Sequence, residues 1–197
     1  MIGDDKEKSS IEALMKKVPQ YKQRIAGKSL PMEKFAIRKA ERYFSQNKHL
    51  VLPLIELMFL WNLFKILKKN FRIAEGILKV IEKEEKKLEH TLSDKYQNDN
   101  KALLLLLKGA CLRQMSSPLQ ALENLESAIL MKKQIIEDNF IVPYAIVELG
   151  LLEYERGNKE KAILALEDAK KNYSGYSLES RLHFRIHTAL SDLKCKD

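Results

Sequence analysis

The chain has 197 residues, of which 45% are hydrophobic and 31% are charged, and it contains only seven glycines and five prolines. This composition is typical of a helical protein with a real core, and it argues against a β-sandwich or a disordered tail. The formal net charge is +8, and the two widely separated cysteines have no metal-site spacing.

The N-terminal part carries most of the positive charge, because residues 1–48 contain 12 basic residues against 6 acidic ones. We predict a polar, disordered N-terminus over 1–9, without the apolar core of a secretion signal, and basic helices over 10–48. A solvated basic helix face is the simpler interpretation, and a phosphate-bearing or acidic partner is the alternative. No nucleic-acid motif accompanies this charge.

Short signals divide this N-terminal part into helices. Either Ser9 or Ser10 is suited to cap the first helix, and Pro19 is predicted to break or restart it. Gly27 is predicted to end this piece of the chain. Pro31 then stands near the start of the next helix, as a proline at the first helical position does.

The stretch VLPLIELMFLWNLFKIL, residues 51–67, is strongly apolar, with 13 apolar residues among its 17. A membrane-spanning helix needs about 20 such residues with few charges, whereas Glu56 and Lys65 interrupt this one. We therefore predict a helix that begins at Pro53 and is buried among other helices. With the following helix it forms a degenerate helix pair over 49–92.

The remaining elements are predicted from helical periodicity and from helix start and stop residues, and no strand is predicted. A loop is expected over 93–101. The helices are expected over 53–70, 73–90, 102–115, 118–137, 143–156, 159–173 and 178–193.

Two segments of the second half place small residues at the same intervals. In each, a glycine is followed by an alanine 12 residues later and by another alanine 7 residues after that. A glycine inside a helix costs about 1 kcal/mol relative to alanine, so we infer that it permits close helix–helix approach. The six residues are Gly109, Ala121, Ala128, Gly150, Ala162 and Ala169.

This pattern resembles the tetratricopeptide repeat, a pair of antiparallel helices that stacks on its neighbours. We predict a repeat-like pair over 102–138, a repeat over 143–173 and a terminal capping helix over 178–194. The two glycines are 41 residues apart, against about 34 in a standard array, so we expect the helix ending near Glu137 to be lengthened. The predicted fold is all-α, a tetratricopeptide-like superhelix of antiparallel pairs with about nine to ten helices.

Longer blocks of sequence are more specific than the repeat spacing. They are VPQYKQRIAGKSLPMEKFAIRKAERYF (18–44), LPLIELMFLWN (52–62), LLLKGACLRQM (105–115) and SGYSLESRLHFRIHTAL (174–190). These blocks resemble the tetratricopeptide repeat protein 39 family, which is grouped with a fungal protein associated with mitochondrial outer membranes and inclusion clearance. Family members are considerably longer, so the resemblance implies that this chain is similar to their C-terminal part, as an isoform or a fragment.

The sequence contains no recognisable catalytic constellation. His183 and His187 share a helix face, but Phe184 stands where zinc hydrolases carry a glutamate, and no third ligand is evident. The run EKEEKK, 82–87, is interpreted as a solvated helix face. We expect a non-enzymatic protein with no cofactor and no metal.

The leading hypothesis is a protein-interaction scaffold or adaptor that binds an unidentified protein or peptide on a concave surface. Some tetratricopeptide domains hold a partner's terminal carboxylates in a clamp, and Arg181 and Arg185 could mimic its last pair. Such a clamp is nevertheless not expected, because Leu106, Ala110 and Glu148 occupy its earlier positions. Counting from the two glycines, the predicted concave-face residues are Leu106, Arg113, Gln114, Tyr144, Val147, Leu151, Tyr154, Arg181 and Arg185.

The alternative hypothesis is a peripheral membrane factor, on a lipid-droplet or mitochondrial surface, that acts in lipid homeostasis. It rests on the basic N-terminal part, the apolar stretch 51–67 and the fungal relationship. Both hypotheses place the protein inside the cell, in the cytoplasm or at an organelle surface, and neither involves nucleic acid.

Overall fold

The computed structural model describes residues 5–21, 24–25, 28–91 and 94–194. These residues form nine α-helices, three short 3-10 helices and one pair of two-residue strands, which confirms the predicted all-α, tetratricopeptide-like fold. The chain divides into two units, Met1–Leu50 and Val51–Asp197.

The first unit contains two α-helices with a short hairpin between them. Helix α1 spans Asp5–Lys17 and runs into a 3-10 turn, Val18–Tyr21. Strands β1 (Arg24–Ile25) and β2 (Lys28–Ser29) pair antiparallel, and helix α2 spans Pro31–Ser45. Helix α2 is amphipathic, and its apolar side buries Phe35, Ala40 and Tyr43.

The structure changes two sequence predictions for the first unit. Helix α1 already begins at Asp5, so the predicted disorder is wrong for residues 5–9, where lysine and glutamate favour helix. The hairpin was missed because two-residue strands are too short to produce an alternating pattern. The predictions for residues 1–4 and for a helix end at Gly27 lie outside the described residues.

The second unit is a series of helices that pack as adjacent pairs. Helix α3 and the 3-10 helix after it precede α4, α5 packs against α6, α7 packs against α8, and α9 contacts both α7 and α8. The bounds are α3 Pro53–Leu60, the 3-10 helix Leu63–Lys69, α4 Phe71–His90, α5 Gln97–Gln114, α6 Pro118–Leu130, α7 Ile141–Glu155, α8 Lys159–Lys171 and α9 Glu179–Lys194.

The single helix predicted over 53–70 is broken at Asn62. This residue has φ of 62°, a left-handed conformation that asparagine adopts more readily than most residues. The following 3-10 helix buries Phe64 and Leu67, whose separation of three residues matches the 3-10 period. The break turns the second half of this apolar stretch into a separate wall of the groove described below.

Helix α6 ends at Leu130, about two turns before the end expected near Glu137. A 3-10 turn, Met131–Lys133, follows it. The extra residues between Gly109 and Gly150 therefore do not lengthen the helix, and that prediction is wrong.

These extra residues form a loop that is held by Asp99 of α5. The buried Asp99 carboxylate accepts hydrogen bonds from the backbone N–H groups of Ile136, Glu137 and Asp138 at 3.0, 2.9 and 2.8 Å. Helix α5 begins at Gln97, inside the segment 93–101 that was predicted to be a loop. Asp99 therefore lies on the helix, where its carboxylate contacts the loop after α6.

Gly109 lies where α5 meets α6. A Cβ atom at this position would lie 2.7 Å from Cγ of Leu125 and 3.2 Å from the carbonyl oxygen of Ala121. Both alanines of this repeat, Ala121 and Ala128, have no exposed surface. The glycine therefore allows the two helices to approach closely.

Gly150 makes the same contact one repeat later. A Cβ atom there would lie 3.1 Å from Cγ of Leu166 and 3.2 Å from the carbonyl oxygen of Ala162. Ala162 and Ala169 are also fully buried. In both repeats the glycine faces an alanine and a leucine at the same sequence offsets, so the two helix pairs share one packing arrangement.

Candidate functional site

A groove of about 420 Å³ opens in the second unit. One wall is the 3-10 helix Leu63–Lys69, the floor is formed by the C-terminal ends of α5 and α7, and the other wall is α9. Helices α5 and α7 are the first helices of successive pairs and α9 is the terminal helix that packs after them, so their equivalent ends lie on one side of the stack.

A network of ion pairs crosses the floor of this groove. The buried carboxylate of Glu148 on α7 accepts hydrogen bonds from Arg113 of α5 at 2.9 Å and from Arg185 of α9 at 2.6 Å. Arg113 also donates to Glu155 at 2.9 Å, and Glu155 lies 3.7 Å from the Lys68 ammonium. The network therefore connects all three helices and the 3-10 wall.

The opposite charges in this network shift the pKa values of Glu148 and Arg113 so that both ionised forms are favoured. Burial alone would raise the pKa of the Glu148 carboxyl, but Arg113 and Arg185 outweigh burial and hold that pKa below its ordinary value. Burial would lower the pKa of Arg113, yet Glu148 and Glu155 raise it. Glu148 and Arg113 are consequently charged at neutral pH, and each has a hydrogen-bonded partner of opposite sign.

The open part of the groove combines apolar side chains with lysines. Phe184 of α9 is 74% exposed, and Leu151 and Tyr154 of α7 are half-buried on the floor. Lys65 and Lys68 stand exposed on the 3-10 wall. This surface offers hydrophobic contact to a ligand, together with positive charge along one rim.

Five of the nine residues predicted for the concave face line this groove together. They come from the ends of two first helices and from the terminal helix, as the repeat counting expects. They are Arg113, Gln114, Leu151, Tyr154 and Arg185.

Three other predicted residues are inside the core, so their assignment to a partner-binding face is corrected. Leu106, Tyr144 and Val147 have no exposed surface. Tyr144 packs against Phe59 and donates a hydrogen bond to the carbonyl oxygen of Leu178 at 3.4 Å, and burial raises its pKa to about 12. The apolar side of a first helix faces α3 and its neighbours here, and is unavailable to a partner.

The ninth residue, Arg181, holds α9 to the end of α3. Its Nε donates to the carbonyl oxygen of Leu60 at 2.9 Å, and its guanidinium lies over the Trp61 ring. Arg181 is therefore engaged within the chain. Arg185 is bound to Glu148 in the same way, so these two arginines do not form the last pair of a carboxylate clamp.

Lys65, Lys68 and Phe184 are among the ten groove residues that sequence reasoning missed. The first two lie on a stretch interpreted as one continuous helix, so the separate 3-10 wall was not foreseen. Phe184 was considered as the residue that follows His183 and not as a groove residue, although its high exposure places it at the opening. Its spacing from the buried Leu182 and Ile186 is the signal that sets it on another helix face.

Two other features concern metals and membranes. Among the described residues no three histidine, cysteine or acidic side chains are grouped so as to hold a metal ion. Within the same residues, no helix combines the length and the apolar character needed to cross a bilayer.

Comparison with known proteins supports the repeat assignment. The family model described as Iml2/Tetratricopeptide repeat protein 39 matches residues 2–115. The chain is 32% identical over 195 residues to "Tetratricopeptide repeat protein ttc-39B" of Caenorhabditis elegans. The aligned region covers 99% of this chain and 33% of that protein. It thus spans about a third of the length of this relative, and no solved structure matches it. On the family match over more than half of its residues, the chain belongs to the Iml2/Tetratricopeptide repeat protein 39 family.

Proposed function

We propose that this chain is a non-enzymatic interaction scaffold that holds a segment of a partner protein in the groove of its second unit. Membership of a tetratricopeptide-type family supports an interaction role in general. The observation that carries the specific proposal is the groove itself, in which exposed apolar side chains lie above a fixed network of ion pairs.

The shape of the site supports peptide binding. A volume of about 420 Å³ lies within the range of roughly 300–1,000 Å³ that is typical of ligand sites. Because the helices and ion pairs are already in place, a bound segment gains contact area without ordering the scaffold. Phe184 is the natural anchor for an apolar side chain of the partner, since aromatic residues supply much of the energy of interfaces.

The residues that line the groove also support a binding role over catalysis. Thr188 lines the groove with a hydroxyl group that could act as a nucleophile. The described lining residues include no histidine or cysteine that could form a nucleophile–base pair with it. Its charged members are occupied in structural ion pairs or stand at the exposed rim.

We expect the Phe184→Arg substitution to reduce the recovery of groove-bound partners at least tenfold, because it replaces an apolar anchor with a charge. The measurement is quantitative mass spectrometry of proteins that co-purify with the full chain after mild cross-linking in cells. The matched control is Leu164→Arg on α8, at a residue that is 70% exposed and lies outside the groove. Equal recovery with both variants would contradict the proposal.

A second candidate function is attachment to an anionic membrane surface. It is favoured by exposed apolar residues along the start of the second unit, namely Leu54, Trp61 and Ile66, which are 70%, 53% and 58% exposed. Exposed Lys65 and Lys68 lie in the same stretch. Tryptophan and lysine beside exposed aliphatic residues suit the interface of a bilayer.

For this candidate we expect the full chain to sediment with phosphatidylserine-containing vesicles at low salt. Each lysine near the surface contributes about 1 kcal/mol, an attraction that salt weakens. The Leu54→Ser/Ile66→Ser variant is expected to reduce sedimentation, whereas Leu119→Ser, at another exposed leucine, is not. Absence of sedimentation at low salt would eliminate this function.

A further inference from the structure

A second concave surface lies between α4 and α6, and it shares no lining residue with the groove. It consists of two adjoining cavities of about 490 and 380 Å³ that have Leu105, Lys108 and Asn124 in common. Because they share these residues, they form one continuous depression, which we call the α4–α6 trough. Helix α5 is its floor, and α4 and α6 are its walls.

The floor of the trough combines leucines of α5 with polar side chains such as Lys101 and Lys108. Leu105 of α5 is half-buried at its centre, between buried Leu104 and Leu112. Leu78 and Leu88 of α4 are half-buried along its edge. Leu78, Leu88 and Leu105 keep part of their side-chain surface exposed to solvent. A ligand in the trough would bury that surface, which is favourable for apolar side chains.

The α4 wall of the trough is acidic. Glu82, Glu85 and Glu89 lie at helical spacings that place them on one side of α4, and all three line the trough. The run 82–87 is therefore not only a solvated face, since Glu82 and Glu85 are half-buried here. The opposite wall adds Glu123 of α6.

The trough is negative in a chain that is positive as a whole. Its lining contains four glutamates against Lys101 and Lys108, whereas the formal charge of the chain is +8. Lys108 is bound to Glu85 at 2.6 Å, so the remaining glutamates outnumber the one lysine left. Such a surface repels phosphate-bearing partners and anionic lipid, and it attracts cationic ones.

We propose that the α4–α6 trough is a second protein-binding surface, which takes an amphipathic helix whose apolar side is flanked by lysine or arginine. Its apolar residues would cover the leucines of the floor, and its basic residues would meet the α4 glutamates, as in other helix-in-groove complexes. The wall from Leu78 to Glu89 is about 17 Å long at 1.5 Å per residue, which fits a helix of about three turns.

The test uses a fluorescein-labelled synthetic peptide of about 14 residues, in which leucines form one helix face and lysines flank it. Its binding to the full chain is measured by fluorescence anisotropy at low and high salt. We expect saturable binding that weakens as salt rises, and that loses about tenfold in affinity with Glu82→Lys/Glu89→Lys.

The control is Glu126→Lys/Glu160→Lys, which changes the net charge equally at two exposed glutamates outside the trough. It should keep most of the affinity, and a glutamate version of the peptide should bind the Glu82→Lys/Glu89→Lys variant better than wild type. If the trough variant is misfolded by circular dichroism, Glu89→Lys alone, at an exposed position, replaces it.

The Phe184→Arg variant separates this inference from the proposed function, since it should leave peptide binding unchanged. Equal loss with the trough and control variants would mean attraction by bulk charge and would overturn the inference. So would loss with Phe184→Arg, or failure of the wild-type chain to bind the lysine peptide at low salt.

Discussion

Replacing Glu148 with alanine is expected to lower the free energy of unfolding of the second unit by about 3–5 kcal/mol. Glu148 is 2% exposed and is the shared partner of Arg113 and Arg185. Its removal takes away the carboxylate that both guanidinium groups bind. Their burial is then offset by fewer hydrogen bonds and by less opposite charge. This is the largest effect that we expect from a single side chain at the groove.

Urea titration measures this change, followed by circular dichroism and by the fluorescence of Trp61, the one tryptophan of the chain. The control is Glu126→Ala, an exposed glutamate whose loss should change the free energy by less than about 0.5 kcal/mol. If both variants unfold at the same urea concentration, Glu148 does not stabilise the stack as argued.

The same carboxylate gives a dependence on pH with a definite sign. Because the folded pKa of Glu148 is below its ordinary value of 4.5, its contribution is fully present above pH 4.5. That contribution is lost as the pH falls through the folded pKa. Between neutral pH and acid, the Glu148→Gln variant should therefore lose less stability than the wild-type chain.

Replacing Gly109 with valine is expected to lower the free energy of unfolding by about 3 kcal/mol, the upper part of the usual range for overpacking. A Cβ atom alone would lie 2.7 Å from Cγ of Leu125. The two branches of valine have no space between α5 and α6 unless the helices separate. Helices that separate expose the apolar residues between them.

Gly76 provides the matched control, because it lies within helix α4 and a Cβ atom there would meet nothing within 4 Å. Gly76→Ala should raise the free energy of unfolding by up to about 1 kcal/mol through helix propensity alone. Urea titration of the two variants should thus give shifts of opposite sign. A stabilised Gly109→Val variant would be incompatible with the close contact of α5 and α6.

The fold could be predicted because its packing requirement is visible in the sequence. Where α5 meets α6, and again where α7 meets α8, only a glycine opposite an alanine leaves room, so the spacing from Gly109 to Ala121 recurs from Gly150 to Ala162. Breaks within helices were harder to foresee. Asn62 stops a helix in a stretch where apolar periodicity alone continues it, and Asp99 holds a loop whose residues are about 37 positions away.

Only part of the groove could be predicted, since repeat counting identifies a helix face and not its neighbours. Arg113 and Tyr154 were found in this way. Tyr144 lies on a first helix as well, but Phe59 covers it from a distance of 85 positions along the chain, and no local pattern reveals that contact. The partnership of Glu148 with Arg185 joins residues 37 positions apart, so it too depends on the tertiary structure.

The proposed function requires a partner segment to occupy the groove beside Phe184. Photo-crosslinking can detect this segment, with p-benzoylphenylalanine placed at position 184 or at position 164 of the full chain expressed in cells. We expect discrete protein adducts at 184 that are absent at 164, with cross-linked peptides from a partner. If no adduct forms at 184, or if both positions give the same adducts, no partner segment lies in the groove.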